Sequence, residues 1–502
     1  MQTIRPQRWC ELRWLFAALA WVFVLPGASA LAQPDELYQA AARMNARHVA
    51  ELEQLAVWCD ERGLAEQARQ TRGVLGPRDP YKLYLPVLPQ VAGRVKPSAD
   101  ASPDVVEWDG RLTRLRRDQS NALFELARNA VRRRRPSLAY DLVLAAVRVN
   151  PNHEAVRRLL GYQEYHGQWH TADEVRRLRI GQVWHEKFGW LPKSHVLRYE
   201  QGQRFNRGRW ITAEQDAQLH HDIRAGWQVD TEHYSILTNH SLESGVALGV
   251  KLERLYRIWQ QIFPRYYATE AQVLALFDGR ARAHRAAMPK LNVVYFRDRD
   301  DYNRFLKPTT PNIEVSIGFY HDLSRRAYFF AGKEYHDRTL YHEATHQLFH
   351  QSRPVSPNVG RQANFWIVEG IAMFMESLHR EGDYQVLGGF EDQRLYAARH
   401  RLLKDDFYVP LAELTTYGIE KLQSDQRIGM IYSQAAGLTH FLVFHDGGRY
   451  RDALVAYLSA VYNGNNDPGT LATLAGASYA QLDQQYRQFM QQSARREESG
   501  GQ

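Results

Sequence analysis

The sequence predicts an α+β protein that is mostly helical. Three observations carry that reading. Apolar residues recur at helical spacing through much of the N-terminal part of the chain. Short β-branched and aromatic runs at Leu291–Phe296, 313–320 and 327–331 read as strands of a small mixed sheet. After them, Tyr341-His342-Glu343-Ala344-Thr345-His346-Gln347-Leu348 reads as helix and puts two histidines four residues apart on one face.

In chain order, residues 1–32 read as a secretory signal peptide. Arg5, Arg8 and Arg13 precede a short apolar core over 14–25, Pro26 and Gly27 break it, and small residues come next for cleavage. The apolar core is too short to span a bilayer comfortably. The expected product is exported, periplasmic or extracellular, with no later membrane span. The full chain carries a net charge of +8 on 502 residues. Cleavage would remove three Arg and one Glu, leaving about +6. That is mild for the size and argues against nucleic acid as a partner. Arg132–Arg135 reads as a solvated helix end, because no aromatic-plus-basic motif surrounds it. Beyond the signal only Cys59 remains, which excludes an internal disulfide and a cysteine zinc site.

Residues 33–75 read as a helical hairpin, with Leu37, Ala41, Met44, His48, Leu52, Leu55 and Ala56 near helical spacing and Gly63 at the turn. Residues 76–110 hold Pro77, Pro80, Pro86, Pro89, Pro97 and Pro103 and read as a Pro-rich linker. Residues 111–224 read as a helical repeat and accessory region, with helices over 121–131, 138–149 and 154–165. Within it, Gly167-Gln168-Trp169-His170-Thr171-Ala172-Asp173-Glu174 returns as Gly208-Arg209-Trp210-Ile211-Thr212-Ala213-Glu214-Gln215, a period of 41 residues. Thr171 and Thr212 look like helix N-caps. Trp169 and Trp210 are expected to pack those helix starts, a reading favoured over carbohydrate binding because both occupy one repeat position. The region is expected to serve as a spacer or to bind a protein partner.

From residue 225 the pattern changes. A strand is expected over 233–238, a long amphipathic helix over 242–263, and then the three strands named above. His342 and His346 can face one metal ion, with Glu343 one step round the helix, where a general base would reach water. Asn364 to Glu376 is apolar almost all round and should be a buried helix, with Glu369 in its middle. A buried carboxylate needs a partner, and a metal supplies one. Helices over 454–461 and 479–490 close this part. The chain is expected to fray from Ser493, with 496–502 a disordered tail.

His342-Glu343-x-x-His346 followed by Glu369 resembles the gluzincins, metallopeptidases with two His and one Glu as zinc ligands. Glu369-Gly370-Ile371-Ala372 through Glu376 is similar to their Glu-Gly-x-Ala-x-x-x-Glu run. Residues 225–495 resemble the peptidase-MA-like domain of secreted bacterial proteins, and the N-terminal helix–turn–helix character resembles tetratricopeptide repeats. No Gly-x-Met-Glu-Asn segment lies upstream, so the exopeptidase branch is not implied. The resemblance implies a zincin-like catalytic domain holding Zn2+ on His342, His346 and Glu369, with Glu343 as general base. It also implies that an edge strand pairs with extended substrate. Tyr432 lies 63 residues after Glu369, where the family carries an oxyanion-stabilising Tyr or His. Glu376 either orients His342 or His346 or forms a surface salt bridge. The expected function is hydrolysis of a peptide or protein by an exported zinc peptidase. A catalytically silent metal-binding scaffold and a hydrolase of cell-wall amides are the alternatives.

Overall fold

The computed structural model describes residues 36–76, 79–91, 97–280, 289–333 and 336–500. The signal expected at 1–32 lies outside them. The protein is mostly helical with small sheets, an α+β architecture. The N-terminal part opens with α1 (Glu36–Asp60) and α2 (Ala65–Gly73), then β1 (Lys82–Pro86), α3 (Pro103–Arg132), α4 (Pro136–Val149) and α5 (Glu154–Leu159). Cys59 is buried between α1 and α3, beside Trp108 and Leu112. The basic run at the end of α3 is a solvated helix end whose arginines pair outward: Arg132 with Asp278, Arg133 with Glu36, Arg134 with Glu270.

Residues 76–110 are more than a linker. β1 lies inside the stretch and pairs antiparallel with residues 384–388, some 300 positions away, and α3 already begins at Pro103. Two prolines of the stretch, Pro86 and Pro103, fit because of where they fall. Pro103 takes the first turn of α3 behind the Ser102 cap, where no N–H is needed, and Pro86 ends an edge strand.

The expected helix over 154–165 stops at Leu159, and Gly161, at φ +93°, turns the chain into a strand. A series of hairpins with short helices between them comes next: β2 (Tyr162–Tyr165), β3 (Gln168–Thr171), α6 (Ala172–Arg179), β4 (Gln182–His185), β5 (Gly189–Pro192), α7 (Val196–Glu200), β6 (Gln203–Asn206), β7 (Arg209–Thr212) and α8 (Ala213–Leu219). The repeat is therefore a β-hairpin plus helix, present three times, at half the expected period. Each hairpin places a tryptophan in its second strand, and an arginine from the preceding helix covers it: Arg157 over Trp169, Arg177 over Trp190, Arg198 over Trp210, at 5.5, 5.6 and 4.7 Å. Two of the hairpins turn through His166-Gly167 and Arg207-Gly208, all four residues at positive φ, as a tight two-residue hairpin turn demands. Thr171 and Thr212 close capping boxes with Glu174 and Gln215.

The C-terminal part is built on β8 (Trp227–Asp230), β9 (Tyr234–Thr238), α9 (Leu242–Ile262), α10 (Pro264–Tyr267), α11 (Glu270–Phe277), β10 (Leu291–Phe296), α12 (Arg299–Leu306), β11 (Phe319–His321) and β12 (Arg326–Phe330). The sheet order is β11-β12-β10-β9-β8. β9, β10 and β12 run parallel, and both edges, β8 and β11, run antiparallel to their neighbours. The strand expected over 313–320 is shorter: residues 313–315 form a 3-10 turn, Ser316 Oγ accepts from the Gly318 N–H, and pairing starts only at Phe319.

Two helices come after the sheet, α13 (Asp337–Gln351) and α14 (Phe365–Met375). Beyond them lie β13 (His379–Glu381), β14 (Tyr384–Gly388), α15 (Gln393–Leu403), α16 (Leu411–Leu414), α17 (Ile419–Ser424), α18 (Ile428–Phe444), α19 (Arg451–Tyr462), α20 (Thr470–Ala475) and α21 (Tyr479–Gly500). One continuous apolar core joins the sheet to α9, α13, α14, α18 and α19. The chain does not fray at Ser493. That residue is buried, Arg399 donates to its Oγ at 3.3 Å, and α21 continues to Gly500. Among the described residues no helix is long and apolar enough to cross a membrane.

Candidate metal centre

α13 is held against the sheet by its apolar face. Leu340, Ala344, Leu348 and Phe349 are buried, and Gln347 Nε2 donates to the Asn292 carbonyl of β10 at 2.9 Å. The other face carries His342, Glu343 and His346. In α14 every residue is buried except Glu369, which keeps 15% of its side chain exposed. Gly370 lets α14 lie close against α18, because a Cβ there would stand 2.5 Å from Thr439 Oγ1 and 2.9 Å from the Ala435 carbonyl.

These constraints bring His342, His346 and Glu369 together. The two Nε2 atoms are 3.2 Å apart, His342 Nε2 is 3.5 Å from Glu369 Oε2, and His346 Nε2 is 3.8 Å from Glu369 Oε1. Zinc–ligand bonds of about 2.0–2.1 Å in tetrahedral geometry require donors about 3.3 Å apart. The three donors fit a zinc ion on that measure, and their chemistry of two imidazoles and a carboxylate fits as well.

Glu376 sits at the end of α14, buried, with Oε1 2.9 Å from His342 Nδ1. Of the two readings open for it, the structure puts it against His342. Its oxygens also take a two-pronged contact from Arg394, with Nε and Nη2 each at 2.9 Å, and a longer one from Arg338 at 3.4 Å. Burial alone would raise the Glu376 carboxyl, but the bonds to His342 and Arg394 outweigh it and hold it at about 2. Burial likewise opposes charge on His342. Hydrogen bonds to Glu369 and Glu376 overcome it and raise that imidazole to about 10. His346 is lowered, because burial outweighs the pull of the Glu369 charge.

Glu343 faces the strand on the far side. Its Oε2 accepts the Tyr320 backbone N–H of β11 at 2.9 Å. Gly318 leaves room for this, since a Cβ there would lie 2.8 Å from Thr339 Cγ2 and 3.3 Å from Glu343 Cγ. Of the two sheet edges, β11 is therefore the one beside the candidate base. Tyr432 stands in α18, partly buried. Burial first and the Glu369 charge second push its phenol above its ordinary value, so it stays a hydrogen-bond donor. His440 and His445 are not at this site. His440 is fully buried between Phe374 and Phe444, and His445 stacks on Tyr450.

Arg338, Asp392 and Arg394 escaped the sequence reading. Arg338 lies four residues before His342, a spacing that could have flagged it. Nothing local marks Arg394, which reaches Glu376 through tertiary packing alone. Among the described residues, two other acidic–histidine clusters have metal-like spacing. In one, Glu253 is already used by Thr231 Oγ1, the His233 N–H and His233 Nδ1. In the other, the Lys82 ammonium sits between Glu381 and Glu391 at 2.6 and 2.5 Å. No protein-family model matches the chain, and no curated protein matches it.

Proposed function

We propose that the chain is a zinc-dependent peptidase of gluzincin type, made for export, that hydrolyses peptide bonds in a peptide or protein substrate. The observation that carries this reading is the triangle of His342 Nε2, His346 Nε2 and Glu369, with edges near those of a tetrahedral zinc site and Glu343 beside it. The mixed sheet, with an antiparallel edge strand beside the active helix, supports a zincin-like domain. Zinc held there would supply a Lewis acid that polarises the scissile carbonyl and acidifies water.

The chain's own residues do the rest. Glu376 accepts a hydrogen bond from the His342 Nδ1–H, which leaves Nε2 as the ligating atom. Glu343, held by the Tyr320 N–H, takes the proton of the attacking water and passes it to the leaving amine. Tyr432, kept protonated, donates to the oxygen that gains charge. An extended substrate adds to the outer edge of β11, which brings its backbone past Glu343.

The test is zinc content, together with cleavage of a denatured protein by wild type and Glu343→Gln. Both should bind one zinc, and only the wild type should cleave. Equal cleavage by the two removes Glu343 from the mechanism, and absence of stoichiometric zinc from folded wild type removes the whole reading.

A further inference from the structure

We infer that Arg394 is a positioning residue for the metal centre, acting through Glu376 on His342. The inference rests on the zinc reading of the site. A glutamate carboxylate turns easily about its last torsion, so Glu376 alone would not hold one oxygen on His342 Nδ1. The Arg394 fork fixes the carboxylate plane. Nη2 binds Oε1, the oxygen that also faces His342, and Nε binds Oε2, where Arg338 adds a third contact. The plane of the fork matches that of the carboxylate, a match an ammonium lacks.

The fork is itself anchored. Arg394 opens α15, and Asp392 Oδ1 caps that helix by accepting the Arg394 and Leu395 N–H groups at 2.9 and 3.1 Å. Asp392 Oδ2 meets Arg338 at 3.5 Å, which closes a ring from α13 through α14 to α15. Leu395, Ala398 and Leu402 bury the far face of α15. With the plane fixed, the Nδ1–H of His342 stays on Glu376 and Nε2 stays turned toward His346 and Glu369. With it released, the ring can turn about its last torsion and carry Nε2 away from those two donors.

The experiment compares wild type, Arg394→Gln, Arg394→Lys, Glu376→Gln and Arg401→Gln, the last an exposed site on the same helix. Two quantities are read: zinc affinity by competition with a chelating dye, and the His342 Nδ1–H proton resonance in metal-free, histidine-15N-labelled protein. Wild type and Arg401→Gln should give a low-field, slowly exchanging resonance and the tightest binding. Arg394→Gln should lose the resonance and bind zinc about tenfold more weakly, and Glu376→Gln should do the same. Arg394→Lys, with charge but no fork, should behave like Arg394→Gln. Wild-type behaviour from either Arg394 variant in both measurements overturns the inference. If wild type binds no zinc, the peptidase reading falls, while the resonance still decides whether Arg394 holds the Glu376–His342 contact.

Discussion

Gly370→Ala tests whether the packing of α14 sets the metal centre. The added Cβ would stand 2.9 Å from the Ala435 carbonyl and 2.5 Å from Thr439 Oγ1, where ordinary contact begins at 3.4 Å. Thr439 can turn, although its hydroxyl already donates to Ala435 O. The carbonyl belongs to the α18 backbone and cannot. Relief therefore needs α14 to retreat by about 0.5 Å. Overpacking of that kind costs about 1–3 kcal/mol, and replacing a helical glycine returns up to about 1 kcal/mol. With the full return counted, the expected net loss is up to about 2 kcal/mol. Glu369 is the preceding residue and moves with the helix. A shift of about 0.5 Å exceeds the roughly 0.2 Å that a metal site tolerates, so zinc should bind at least about tenfold more weakly. Thermal unfolding of the metal-free protein and dye competition for zinc read the two effects. Gly429→Ala is the control, in the first turn of α18 with nothing within 4 Å of the new atom. It should be neutral or slightly stabilising. A Gly370→Ala protein as stable and as tight for zinc as Gly429→Ala would refute the argument.

Three other outcomes are expected. Tyr432→Phe should keep its zinc and lose about a hundredfold in kcat; an unchanged kcat assigns the oxyanion to another donor. Burial first lowers His440 to about 4, so between pH 6.5 and 4 the unfolded chain binds the proton and the folded one does not, and stability falls with pH. Urea unfolding of metal-free protein should show His440→Leu losing about 2 kcal/mol less than wild type between pH 7 and pH 5, and equal losses would contradict this. Arg451, buried, meets both Asp141 oxygens at 2.7 Å and ties α19 to α4. Asp141→Asn strands a buried cation, whereas Arg451→Met leaves a carboxylate that water can reach. Denaturant unfolding should therefore find Asp141→Asn the costlier by about 2 kcal/mol, and the reverse order would count against a buried ion pair here.

What the sequence made legible was local. The strand Leu291–Phe296, the long helix that starts at Leu242 and the two-histidine helix all announce themselves within a few residues of spacing; the structure has the first two within a residue, and the third runs longer than the Tyr341–Leu348 stretch, from Asp337 to Gln351. Glu369 was legible because a lone carboxylate in an apolar helix needs a partner. β1 was hidden because its partner lies some 300 residues on, and a run of prolines suggested a linker where two of them, Pro86 and Pro103, mark the end of a strand and the start of a helix. The middle hairpin repeat was hidden because Pro192-Lys193-Ser194 replaces the Thr-Ala-acid signature of its neighbours, although Trp190 keeps its place. The Arg394–Glu376 contact depends on where α15 docks, and no short-range spacing encodes that.

The hold on Glu343 has an unusual genetic property. It comes from the main chain of Tyr320, so no replacement at position 320 except proline deletes the donor, and an alanine scan would pass over it. That restraint is removed by Tyr320→Pro, by a change that displaces the strand, such as Gly318→Ala, or by an amide-to-ester exchange at the 319–320 linkage. Tolerance of substitution at Tyr320 would therefore say little about how much the base depends on it.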